Sequence, residues 1–162
     1  MTDIIIRRAG DMDCRAIADL LNEVIEIGGT TAYTTAVTSQ YIQTKMRSEA
    51  RNAWHLAEDA TGELLGFQWI AEADYLPNEA AEIATFARVG KTGLGIGSKL
   101  FEATKEAAQA LGYTWINANI RTDNTGGQIY YQSRGFEDYG GQKGIQLADG
   151  SVVDKVLKRY DL

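Results

Sequence analysis

Four glycines fall within eight residues, at Gly90, Gly93, Gly95 and Gly97, and a helical pattern starts directly behind them. The first turn of a helix exposes N–H groups with no earlier carbonyl to bond, and the aligned peptide dipoles add partial positive charge there. Gly93, Gly95 and Gly97 let the backbone approach an anion closely and turn those donors toward it. The chemistry this turn supports is phosphate binding. Two common phosphate loops do not fit it. A P-loop places lysine directly after its last glycine, whereas the order here is Gly97-Ser98-Lys99. A dinucleotide fingerprint reads G-x-G-x-x-G in the first strand–helix unit, whereas the spacing here is G-x-G-x-G behind a run of three predicted strands. Ser98 is then a helix-start residue beside phosphate and not the serine of a triad. The single histidine, His55, sits on a predicted strand without a partner carboxylate or cysteine and reads as structural. Cys14, the single cysteine, cannot form an internal disulfide or a metal cluster alone.

Such a turn needs a scaffold. The chain has 162 residues, 44% hydrophobic and 23% charged, which suits a single domain over 1–162. Its 16 basic and 22 acidic residues give a formal net charge of -6. A surface that neutralises nucleic-acid phosphates carries the opposite sign. No run approaches the ~20 apolar residues of a membrane span. The N-terminus sets its apolar triplet before two arginines, the reverse of a secretory signal. The expected setting is the reducing cytoplasm, with no nucleic-acid, membrane or metal partner.

The triplet Ile4-Ile5-Ile6 predicts a strand over 3–8. Ile17, Leu20, Leu21, Val24 and Ile25 recur at helical spacing, with Asp11 or Asp13 as cap and Gly28-Gly29 as stop. A loop over 30–37 leads to a second helix, capped by Thr38 or Ser39, whose Tyr41, Ile42 and Met46 are spaced to face inward. Strands follow over 53–58, 64–73 and 79–89, the last apolar enough to be covered on both faces. Trp54, Trp69 and Trp115 fall on strands and read as core or interface. Ile96, Leu100, Thr104, Ala108 and Leu111 mark the helix behind the glycines. A strand over 114–120, a short helix over 125–134 and two final strands complete the order β-α-α-β-β-β-α-β-α-β-β. That order predicts an α/β fold, a mixed central sheet of about six to seven strands with helices on both faces.

The run Thr92-Gly93-Leu94-Gly95-Ile96-Gly97-Ser98-Lys99-Leu100 resembles the acetyl-CoA motif of the GNAT superfamily, Q/R-x-x-G-x-G/A ahead of a helix. Downstream, Asn124, Gly127, Tyr131, Gly135 and Phe136 match the superfamily pattern N-x-x-A-x-x-x-Y-x-x-x-G-F, with glycine for alanine. The element order matches over nearly the whole chain. Thr92 stands where the family carries Gln or Arg, which leaves the pyrophosphate to backbone donors or to Lys91 or Lys99. Within the superfamily, Ile6-Arg7-Arg8-Ala9, Asp13-Cys14-Arg15-Ala16-Ile17, Asn22, Lys143-Gly144 and Val153-Asp154-Lys155-Val156 resemble the phosphinothricin acetyltransferase-like branch. That branch carries Phe-Glu-Thr where this chain has Tyr33-Thr34-Thr35, so phosphinothricin itself is a poor candidate substrate.

The resemblance implies acetyl transfer from acetyl-CoA, without a metal, directly to a primary amine of an amino acid or similar small molecule. It assigns Tyr131 as the acid that protonates the leaving thiolate, since its phenol, pKa about 10, lies somewhat above a thiol at ~8.5. Alone, Tyr131 reads as a core ring bonded to a backbone carbonyl. Glu82 stands where the branch carries its catalytic glutamate and is the candidate base. A carboxylate near pKa 4.3 suits that task when burial raises it or a water relays the proton. The alternatives for Glu82 are a solvent-facing position or an ion pair with Arg88. The backbone of Phe86, Ala87 and Arg88 is implied to pair with pantetheine, and Thr92 to Ser98 to hold the pyrophosphate. Asn124 bonds pantetheine, caps its helix, or does both. Tyr130 falls on another helix face and reads as packing. The acceptor pocket is expected from 28–37, 72–78 and 140–150, and the apolar strand 152–157 can support a homodimer. Two other classes stay open: a non-catalytic CoA-binding sensory or interaction module, and an acetyltransferase for protein N-termini or lysines.

Overall fold

The computed structural model describes residues 3–88, 90 and 95–162, so Lys91, Thr92, Gly93 and Leu94 of the glycine turn lie outside the described residues. The order is β1 (Ile5–Arg8), α1 (Cys14–Ile27), α2 (Ser39–Ser48), β2 (Ala53–Glu58), β3 (Leu64–Ala71), β4 (Ala80–Ala87), α3 (Ile96–Ala110), β5 (Trp115–Arg121), α4 (Thr125–Ser133), β6 (Glu137–Gln146) and β7 (Val152–Asp161). The strands form one seven-stranded sheet in the order β1-β2-β3-β4-β5-β7-β6. Every residue of β3 is buried, which requires cover on both faces of the sheet.

Because successive strand residues point to opposite faces, the cover is divided. On one face Trp54, Phe67, Trp69 and Phe86 stack in a row, with Trp54 and Trp69 centroids 4.3 Å apart, beneath Ile17, Leu20 and Leu21 of α1 and Ile42 of α2. On the other, Ile70, Ile83 and Ile116 pack with Phe101 of α3, with Tyr131 of α4 and with Phe136 just before β6. Thr38 caps α2 by accepting the Tyr41 N–H at 3.0 Å. Tyr41 corrects the sequence reading: it is 41% exposed, because Ile42 takes the inward position and the Tyr41 hydroxyl meets that of Tyr33 at 3.1 Å. No helix among the described residues is long and apolar enough to cross a membrane.

The feature that makes a site is the pairing of β4 with β5. These strands run parallel, joined by α3, and pair from Ala80 opposite Trp115 to Ile83 opposite Ala118. There the pairing ends, while β5 stays paired with β7 as far as Arg121 opposite Lys155. Beyond Ile83, β4 and β5 therefore part, and the sheet opens beside the N-terminus of α3.

Candidate active site

The opening is a cleft of ≈ 1000 Å³. Gly95, Ile96, Gly97 and Ser98 form one end of its lining, Phe86 and Ala87 one side, and Glu82, Asn124 and Tyr131 also line it. Gly95 precedes α3 with φ of 79°, a left-handed conformation that glycine adopts without strain. The first-turn N–H groups that follow have no earlier helical carbonyl to bond. Gly97 is required by close packing: a Cβ there would lie 2.5 Å from Cε1 of Tyr130.

Along the side of the cleft, pairing decides which backbone groups are available. Arg88 N–H donates to Leu65 O at 2.8 Å in the β3–β4 register. In an antiparallel pair such bonded positions alternate. Phe86 thus spends its main-chain groups on Phe67, while Thr85 and Ala87 direct theirs to the open edge. Arg88 is not a lining residue; its side chain bonds Leu64 O at 2.9 Å and pairs with Glu23. That pairing also removes the ion pair between Glu82 and Arg88 considered from sequence.

Glu82 sits among polar partners from distant segments. Its Oε2 accepts from the Tyr75 hydroxyl, and its Oε1 accepts from Asn117 Nδ2 at 2.9 Å. Asn117 also donates to Tyr75 Oη at 3.0 Å, and its own Oδ1 accepts from Tyr139. Burial holds the Glu82 carboxyl above the ordinary carboxylate range, opposed by the bonds from Tyr75 and Asn117. Asn119, one residue pair further along β5, has a buried Oδ1 without a hydrogen-bond partner in the cleft lining.

Tyr131 reaches the cleft from α4. Its hydroxyl lies 2.8 Å from Thr85 Oγ1, and burial raises its phenol pKa, with the Thr85 bond acting in the opposite direction. Tyr130 packs, as expected, and also bonds: it donates to Gly97 O at 2.7 Å and accepts from Gln68 Nε2 at 3.0 Å. Burial pushes its phenol up to about 12. Asn124 caps α4, accepting the Gly127 N–H at 2.9 Å, and its Nδ2 donates to Thr30 O at 3.2 Å. With Asn124 placed as it is here, a Cβ at Gly127 would run into its Nδ2, so this position of the cap goes with glycine.

Of the residues singled out from sequence, Glu82, Phe86, Ala87, Gly95, Ile96, Gly97, Ser98, Asn124 and Tyr131 share the cleft, Arg88 lies outside it, and Thr92, Gly93 and Leu94 are outside the described residues. Sequence reasoning missed Thr85, Gln68, Tyr75, Asn117 and Asn119. The last two alternate with buried apolar residues on β5, a signal that was legible; Tyr75 reaches Glu82 from a loop. His55 is buried, and burial with the nearby charge of Arg8 pushes it down to about 4, consistent with a neutral structural residue. Cys14 is buried against Met46 Sδ at 3.8 Å, and burial raises its thiol pKa. Among the described residues no three His, Cys, Asp or Glu gather as a metal site.

The profile of the acetyltransferase (GNAT) family matches residues 16–136. No curated protein sequence matches the chain. Among solved structures, a ribosomal-protein-alanine N-acetyltransferase from Brucella melitensis superposes with a TM-score of 0.87 at 21% identity, over 98% of this chain and 99% of that one. A GNAT superfamily phosphinothricin acetyltransferase from Sinorhizobium meliloti, solved with acetyl-CoA, superposes at 0.85 with 19% identity, over 98% of this chain and 88% of that one. The yncA protein of Salmonella typhimurium, solved with acetyl-CoA as its cofactor, gives 0.84 at 19% identity, over 98% and 94%. At these identities the likeness is one of fold.

Proposed function

The chain belongs to the acetyltransferase (GNAT) family, and on that premise we propose that it transfers the acetyl group of acetyl-CoA directly to a primary amine of a small molecule, an amino acid or a compound like one. The observation that carries this reading is the cleft itself, opened where β4 and β5 part, with backbone donors of α3 at one end and Glu82 and Tyr131 both in its lining. The residues present fit the cofactor. Gly95 to Ser98 offer first-turn N–H groups to a diphosphate, and the unpaired edge at Thr85 and Ala87 offers strand-like bonding to the pantetheine amides. The buried Asn119 Oδ1 awaits a donor. The glycines before Gly95 extend the cradle in this proposal.

Acetyl-CoA supplies a thioester carbonyl and a thiolate leaving group. Glu82 takes the proton from the attacking amine, a task for which burial and its raised pKa suit it better than an exposed carboxylate. Tyr131 gives its phenolic proton to the departing sulfur. An N–H from the Thr85 or Ala87 backbone polarises the carbonyl as its oxygen gains charge. Tyr33 and Trp69 line the cleft and supply an aromatic wall for the acceptor, and Tyr75 from 72–78 and Gln142 from 140–150 reach its polar network through Glu82 and Asn119.

The phosphinothricin acetyltransferase of Sinorhizobium meliloti is a resemblance of fold, and the sequence features of the phosphinothricin acetyltransferase-like branch carry the finer assignment. The same reading places the protein in the cytoplasm, where its one cysteine stays an unbridged thiol, and pairs two copies through the exposed β6–β7 end of the sheet, where Val152 is 65% exposed. The deciding experiment offers acetyl-CoA with a panel of amino acids and amines while free thiol is followed. Thiol release that depends on an amine is expected. Tight acetyl-CoA binding with no release above background would instead mark a binding module, and release with peptides alone a protein acetyltransferase.

A further inference from the structure

The hydrogen-bond network around Tyr131 has a direction, set at its far end. The carbonyl of Gly97 only accepts, so the single hydroxyl proton of Tyr130, 2.7 Å away, goes to it. The 3.0 Å contact between Tyr130 Oη and the Gln68 amide is then a donation from Gln68, which puts Nε2 on that side. The second N–H of the same nitrogen donates to Thr85 Oγ1 at 2.9 Å. Thr85 keeps its own proton; Gln68 Nε2 cannot take it, and Tyr131 Oη, 2.8 Å away, can, so the Thr85 hydroxyl is satisfied as both donor and acceptor when it donates to Tyr131. Gln68 is fully buried and locked in place by these bonds, and it is the point from which both branches run.

We propose that Gln68 and Thr85 are positioning residues for acyl transfer: they make Tyr131 the acceptor of the Thr85 proton, so that the phenolic O–H of Tyr131 stays free to point into the cleft at the leaving sulfur. This rests on the assignment of Tyr131 as the acid. In the transfer the amine forms the C–N bond and gives a proton to Glu82, and the thioester C–S bond breaks. The leaving thiolate takes the Tyr131 proton, so that the O–H bond breaks and an S–H bond forms; Glu82 then returns its proton to water. The Thr85 proton stays on its own oxygen, and its bond to Tyr131 strengthens as the phenolate develops, because charge-assisted hydrogen bonds are about twice as strong as neutral ones. The phenolate regains a proton from water. Since the other branch ends on Gly97 at the start of α3, the same amide ties the acid to the diphosphate cradle.

The test compares Thr85→Val, which removes the donor, with Thr85→Ser, which keeps it, in the full chain. A ring-fluorinated tyrosine at position 131, with a more acidic phenol, is titrated by fluorine NMR without any ligand. Thr85→Val is expected to tighten proton binding at that phenol about tenfold, as loss of one bond to a charged oxygen implies, with Thr85→Ser near the parent. Gln68→Met is a second, independent variant expected to move the midpoint the same way. In turnover, Thr85→Val should lower kcat about tenfold or more, leave acetyl-CoA affinity within about twofold, and cost nothing further once Tyr131 is Phe. An unmoved titration midpoint, or a Thr85→Val penalty that is undiminished in the Tyr131→Phe background, overturns the proposal. If Tyr131→Phe itself leaves kcat unchanged, the acid assignment fails, while the titration still reads the Thr85 bond.

Discussion

In the proposed transfer Tyr131 and Glu82 carry opposite proton tasks, and their environments differ in a way that suits them. Tyr131 is buried beside Thr85, so Tyr131→Phe removes one hydroxyl and little volume. Turnover is expected to fall about a hundredfold, within the usual range for a positioned acid, while calorimetry shows acetyl-CoA affinity within about twofold. Glu82 is held protonated to higher pH than an ordinary carboxylate by burial. As a base it must be ionised, so kcat/KM should rise with pH along a limb above the carboxylate range, and Glu82→Gln should abolish that limb. Stability has the opposite sign. Above its ordinary value of 4.5 the folded state binds the Glu82 proton more tightly than the unfolded chain, so stability is lost as pH rises through that window. The melting temperature of Glu82→Gln relative to the parent should therefore climb from pH 4.5 upward; a constant difference would show Glu82 titrating as it does in the unfolded chain.

At the level of elements, α3 and α4 meet at Gly97 and Tyr130. Gly97→Ala sets a methyl 2.5 Å from the Tyr130 ring, so the ring must leave its bonds to Gly97 O and Gln68 or the turn must shift. Overpacking of this kind costs about 1–3 kcal/mol, and thermal melts should show it together with acetyl-CoA binding weakened about tenfold. Much of this framework was legible in the chain. The apolar stripe Ile17, Leu20, Leu21 marks α1, because a helix with one partner face writes that face into its period, and β2, buried on both faces, occupies the residues predicted for it. The parting of β4 from β5 was not legible. The apolar character of β4 runs on unchanged past Ile83, and the point of divergence is set by which neighbour β5 follows, here β7. For the same reason Glu82 was visible as an acid in an apolar strand, whereas its partners were not: Tyr75 and Asn117 lie 7 and 35 residues away. Tyr41 was misplaced because Tyr33, on the preceding loop, gives its hydroxyl a partner at the surface.

For the molecule as a whole, the sheet must hold a polar seam inside an apolar core. His55 shares that seam, opposite Gln68 in the register, and its pKa is pushed down to about 4. The unfolded chain binds the His55 proton from pH 6.5 downward while the folded state resists until about 4. Stability should thus fall as the solution is acidified through that interval, and His55→Gln should flatten the fall in denaturant titrations. The seam runs on through Gln68 and Thr85 to Tyr131, so the interior of the fold and the proposed acid share one set of hydrogen bonds. The most direct test of the account is a crystal structure with a thioether analogue of acetyl-CoA. The prediction is a diphosphate on the start of α3, amides along Thr85 and Ala87, and the sulfur within about 3.5 Å of Tyr131 Oη, a reachable proton-transfer distance. An analogue bound outside the cleft between β4 and β5, or a sulfur beyond reach of that hydroxyl, would contradict it.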